Sequence, residues 1–166
     1  TPYIINNMAM SGVPGWYDYS FAPWHEGFTV KNFNRGFYQG WQWNDVLFAR
    51  FNSKHKDVLA HNLDKLSKQY QLALENGVDK IIVILHFVPL RDFIVYSSDP
   101  FEDFWKAYYG SSKLGETILK MRRVKFVFFG HVDKKHLPCK KIIKNNIYFE
   151  NVDVSHDMSN ATIFDI

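Results

Sequence analysis

"VKFVFFGHVD", Val124 to Asp133, decides the fold. Val124 to Phe129 is an unbroken run of Val and Phe around one Lys and reads as a buried strand. It stops at Gly130, and His131-x-Asp133 follows where a simple turn would suffice. A strand that delivers an imidazole at its end calls for a partner strand that does the same.

That partner lies upstream in "VDKIIVILHFVPL", where Ile81 to Leu85 form a continuous apolar run rich in β-branched residues and end on His86. Such a run suits a strand covered on both faces. Before it, "SKHKDVLAHNLDKLSKQYQLALENG" places Val58, Leu59, Leu63, Leu66, Tyr70 and Leu74 mostly three or four apart, between Ser53 and Gly77. This spacing predicts a long amphipathic helix. Between the two strands, Pro100 opens a short helix through Phe104, Trp105 and Tyr108 that closes at Gly110, and a second helix is expected over Lys113 to Arg123.

The order helix, strand, helices, strand predicts an α/β domain with both histidines at the carboxyl ends of their strands, where ligands collect in open α/β sheets. If the extended geometry runs on through Val132, His131 and Asp133 project to one side, because side chains alternate with period two. Further out, Met8 to Val13 reads as a strand and "GVPGWYDYSFAPW" as an aromatic loop. After Pro138, "KKII", an Asn145-Asn146 turn and "IYFENVDV" read as a hairpin.

Composition sets the outer limits. The 166 residues, 46% hydrophobic and 22% charged, suffice for one domain with a real core. A net charge of +3, from 20 basic and 17 acidic residues well interspersed, gives no stripe for nucleic acid, which is expected only as a substrate. Cys139 is the single cysteine, so no intrachain disulfide or Cys-rich zinc module can form, and any metal must use His and carboxylates. With no membrane-length apolar stretch and no leader-like segment, a soluble cytoplasmic domain is the expectation. The chain opens on Thr1 and is already apolar at Tyr3, Ile4 and Ile5, which reads as an entry in mid-fold.

Three stretches carry a resemblance. "ILHFVPL", "FFGHVD" and "GVPGWYDYSFAPW" make the sequence similar to the C-terminal part of the calcineurin-like metallophosphoesterase domain, from about Met8 to the region near Val154. The resemblance implies a four-layer α/β/β/α sandwich and hydrolysis of a phosphomonoester or phosphodiester at a site of two divalent ions (Mn, Fe, Zn or Mg). It makes His86 and His131 ligands of one ion and gives Asp133 a place at the other, where the family has a second His.

The family's upstream Asp-x-His, Gly-Asp-x-x-Asp and Gly-Asn-His motifs have no counterpart, since the chain contains no Asp-x-His, no Gly-Asp and no Gly-Asn. The expectation is therefore the back half of such a domain, a single portion over residues 1–166 that is inactive alone and supplies part of the ligands. Two cations about 3.5–4 Å apart need a bridging carboxylate and hydroxide between them. A face left uncovered by the missing half would invite dimerisation. The alternative is a noncatalytic binding or interaction domain that keeps the fold.

Secondary site candidates are few. Arg91 could fork onto phosphate oxygens, against the plainer reading of a solvated pair with Asp92. Tyr17, with Trp16 and Tyr19, could line a pocket for a flat leaving group, although aromatic loops more often pack into cores. "WQWND", with Trp41, Trp43 and Asp45, reads as packing and turn whose indoles could stack on a ring. His25, His55, His61, His136 and His156 match no motif and are placed on the surface.

Overall fold

The computed structural model describes residues 1–49, 53–133 and 136–152. In chain order the elements are β1 (Tyr3–Ile5), β2 (Met8–Gly12), α1 (Val30–Arg35), β3 (Phe37–Tyr38), β4 (Trp41–Gln42), α2 (Asn44–Phe48), α3 (His55–Glu75), β5 (Lys80–Ile84), α4 (Pro100–Trp105), α5 (Ser112–Ile118), β6 (Val124–Phe129), β7 (Lys141–Lys144) and β8 (Ile147–Asn151). Six strands form one mixed sheet in the order β1-β2-β5-β6-β8-β7, and β3 with β4 forms a separate two-stranded hairpin. The class is α/β, as expected.

Strands β2, β5, β6 and β8 are mutually parallel, while β1 and β7 add antiparallel edges. Each edge is a hairpin turned by asparagines, which tolerate the left-handed region at Asn6 and at Asn145-Asn146. The apolar start at Tyr3 to Ile5 is thus a paired edge strand. Because β5 and β6 are adjacent and parallel, the segments leaving their carboxyl ends, with His86 and His131, emerge side by side.

Alternation sorts the sheet into two faces. Ala9, Ile81, Val83, Val127, Phe129 and Phe149 are buried with Leu66 and Ala73 of α3 and Ile118 of α5 in one core. On the other face Ile82 is buried, but Tyr3, Ile5, Ile84 and Ile143 are exposed and Met8, Met10, Phe126, Phe128 and Tyr148 only half-buried. Among the described residues no helix or strand covers that face. A continuous apolar run in β5 does not distinguish a covered face from an open one, and Ile84, 47% exposed, marks the difference.

Helix α3 runs as the periodicity predicts, and its Gln69 does more than face the sheet. The Gly12 amide donates to Gln69 Oε1 at 2.8 Å, and Gln69 Nε2 donates to the Gly12 carbonyl at 3.1 Å, just where β2 ends. Gln69→Leu is expected to cost about 1–3 kcal/mol, because it strips partners from part-buried backbone groups; the urea midpoint reads this, and an unchanged midpoint would refute it.

Helix α5 is shorter than expected. It tightens into short turns after Ile118, and Arg123 takes φ +66° to swing the chain into β6. The helix from Pro100 begins as predicted, with Asp99 accepting from the Phe101 amide, and passes into a 3-10 turn at Lys106–Tyr108. The stretch 37–49 holds two small strands and a one-and-a-half-turn helix, none of which the periodicity announced. Val154 and His156 lie outside the described residues.

Candidate functional site at the ends of β5 and β6

Past Ile84 the chain is held by its neighbours. The His86 and Phe87 amides donate to the Pro14 carbonyl at 3.0 and 3.2 Å, and the Gly130 amide donates to the His86 carbonyl at 3.1 Å, which ties the two histidine segments together. Val88 then pairs with Tyr109 and Ser111, an arrangement that brings the Tyr108 carbonyl over the end of β6.

There the two imidazoles meet. His131 Nδ1 lies 3.0 Å from His86 Nε2, and His131 Nε2 lies 3.2 Å from the Tyr108 carbonyl oxygen. A carbonyl only accepts, so His131 carries its proton on Nε2, and its Nδ1 accepts from His86 Nε2–H in a ring-to-ring hydrogen bond. Two nitrogens bound to one metal at 2.0–2.1 Å and at a right angle stand about 3 Å apart, so a metal could take the place of that proton with little movement of the rings. The backbone carbonyl fixing the other ring nitrogen is the usual outer support of a ligating histidine.

Both rings are held neutral. Burial lowers the His86 pKa, an effect partly offset by the Asp45 carboxylate. Burial, reinforced by His86 itself, pulls His131 down to about 4 against the Tyr108 hydrogen bond. Neutral imidazoles keep the lone pairs that a metal needs.

Above the pair opens a cavity of about 450 Å³, walled by Trp41, Trp43 and Trp105 and edged by Gln42, Asn44 and Asp45. The hairpin β3–β4 and helix α2 thus form a roof over the histidines, with the Trp43 indole donating to Asp45 Oδ2 at 3.0 Å. Asp45 is the carboxylate whose charge reaches His86, His55 and Tyr17. The sequence placed "WQWND" among packing residues; its only clue was two indoles and a carboxylate within five positions.

The other expectations sort themselves by position. The extension argument for Asp133 does not hold, because His131 takes φ +70°, which breaks the alternation after β6 ends at Phe129. Asp133 is exposed, and its carbonyl accepts from the His136 amide at 2.9 Å. Tyr17 is fully buried against Trp16, His55, Phe87 and Tyr108 and does not line the cavity above the histidines. The Arg91 guanidinium donates to the Ser20 carbonyl at 3.0 Å and lies over the Tyr96 ring, outside the cavity wall. Asp92 pairs with Lys144, which lowers its pKa. His55 is a packed residue, not a surface one: its Nδ1 accepts from the Trp16 indole at 2.9 Å.

Among the described residues no carboxylate joins both imidazoles within 4.8 Å; the one His and carboxylate cluster that compact is His25, Glu26 and Asp103. Asp103 is buried and already holds the Lys106 ammonium and the Ser97 amide and hydroxyl, so its cation is a lysine. No helix among the described residues is long and apolar enough to cross a membrane.

No family model matches the chain, and no curated protein does. Among solved structures it is similar to a phosphopantetheinyl hydrolase (PptH) from Mycobacterium tuberculosis, with a TM-score of 0.56 and 19% identity over 93% of this chain. The match spans 52% of that protein, about half its length. At this identity the likeness is one of fold. These findings overturn the calcineurin-like assignment read from the sequence: strand-then-His and Gly-His-x-Asp are short enough to arise from any α/β sheet that ends two strands on histidines.

Proposed function

We propose that the paired histidines hold a divalent metal in the service of phosphoester hydrolysis. The observation that carries the reading is the His131 Nδ1 to His86 Nε2 separation of 3.0 Å, with the remaining His131 nitrogen fixed by the Tyr108 carbonyl. A PptH acts as a phosphopantetheinyl hydrolase on a similar fold, which is compatible with the same broad chemistry.

On this reading His86 and His131 are two ligands of an incomplete set. Asp45, which lines the same cavity, is the carboxylate placed to extend it. A second ion, with the carboxylate that must bridge it, would draw on residues beyond those described. A bound ion would polarise a phosphoryl oxygen and lower the pKa of its water. What this chain itself contributes is a seat with both imidazoles neutral and oriented, and a cavity that admits a substrate beside them.

The open sheet face fits the finer architecture. A second sheet packed on Met10, Ile84, Phe126 and Phe128, whether from more of the same protein or from a second copy, would give a four-layer α/β/β/α sandwich.

The test is stoichiometry. After equilibration with Mn²⁺ and gel filtration, this chain is expected to retain one ion, and His131→Ala is expected to retain none. Metal retained equally by both would refute the seat. A full-length, metal-loaded protein inactive on aryl phosphates and nucleotides would instead be a noncatalytic binding domain.

A further inference from the structure

The cavity above the histidines has a wall that metal binding alone does not explain. Three of the chain's five tryptophans line it, and Trp41, at its mouth, is 67% exposed. A large indole left in water at a concave site invites a partner.

The indoles are also held in place. The β3–β4 turn uses Gln39 and Gly40, both at positive φ, and the Gln42 amide donates to the Gly36 carbonyl at 2.7 Å, which pins the strand bearing Trp41. The Trp43 ring lies nearly parallel to Tyr108 (4.8 Å between centroids, 18° between planes) and to Trp105 (6.0 Å, 20°). It also meets His131, edge-on at 5.9 Å. A preorganised set of flat surfaces therefore begins one ring away from the proposed metal seat.

From this we infer that the site takes a phosphoester carrying a planar heteroaromatic group, a nucleotide in place of an alkyl phosphate, with the ring stacked on the tryptophan wall and the phosphoryl group at His86 and His131. The inference rests on the metal-dependent reading for the phosphoryl end only. An alkyl chain would gain contact area on the indoles, but only a ring system uses their fixed planes, and base–aromatic stacking tolerates any base because every base has a π face. Asn44 and Asp45, in the same lining, supply polar groups that can meet ring nitrogens and exocyclic amines.

The probes are adenosine, AMP and ribose 5-phosphate, titrated against the tryptophan fluorescence of this chain in EDTA, so that no metal contributes. Adenosine and AMP are expected to quench saturably and ribose 5-phosphate not to; Trp41→Ala, at an exposed position, should weaken both nucleoside ligands roughly tenfold. Trp105→Ala should do likewise, while Trp24→Phe, at an exposed indole outside the cavity, should leave adenosine binding intact. Adenosine that fails to quench, or that binds Trp41→Ala and Trp105→Ala as it binds the parent, overturns the inference. Because adenosine has no phosphate and EDTA removes metal, failure here leaves the metal seat standing, and failure of the seat leaves this result unaffected.

Discussion

Gly110→Ala is expected to destabilise the chain by about 3 kcal/mol or more. A Cβ built there would lie 2.8 Å from the Val88 nitrogen and carbonyl carbon and closer still to the Val88 oxygen. All three are backbone atoms, so no rotamer change relieves the clash. Val88 cannot retreat either, since its amide donates to the Tyr109 carbonyl at 2.9 Å and its carbonyl accepts from Ser111 at 3.2 Å. The strain lands two residues from His86 and two from Tyr108, whose carbonyl orients His131.

Loss of the urea transition or a large drop in its midpoint is therefore predicted together with loosening of the histidine pair. Gly130→Ala is the contrast. It adjoins His131, but a Cβ there meets nothing within 4 Å, so the change should be small. Equal effects at both positions would sink the steric account.

Acidification is expected to destabilise the protein between about pH 6.5 and pH 4. His131 titrates in the folded chain at about 4, below its ordinary 6.5. Across that window the unfolded chain binds the proton and the folded chain refuses it, so stability is complete above pH 6.5 and falls as pH drops towards 4. Two and a half pH units at about 1.4 kcal/mol each give His131 alone about 3 kcal/mol. His86 and His55 are shifted the same way by burial and add in the same direction. Urea unfolding at stepped pH measures this, and His131→Gln should flatten the profile; a parent profile level from pH 7 to 4.5 would contradict a neutral His131 in the folded chain.

The legible part of this molecule was its periodic part. Helix α3 and strands β5 and β6 announce themselves by spacing, and the two histidines follow from where those strands end. The Asn145-Asn146 turn names its own hairpin. What stayed hidden was set by single backbone angles and by contacts distant in sequence. Nothing in "GHVD" says that His131 will adopt a left-handed φ, a conformation more natural to glycine, and that one angle undoes the expected alignment of Asp133.

Elements of two to six residues, such as β3, β4 and α2, are too short for a period, so the roof that brings Trp41, Trp43 and Asp45 over the histidines could not be read ahead. Tyr17 was likewise ambiguous. An aromatic loop can face a ligand or a core, and only its packing on His55 and Phe87 decides for the core.

The parallel pairing of β2 with β5 also sets a schedule for biosynthesis. Met8–Gly12 must wait for Lys80–Ile84, and at a synthesis rate of roughly 5–20 residues per second this delay lasts roughly 3 to 14 seconds. The aromatic β6 is made later still, and β8 after it. Until they dock, the nascent chain carries unpaired strand edges, the period in which a sheet of this topology is most exposed to mispairing.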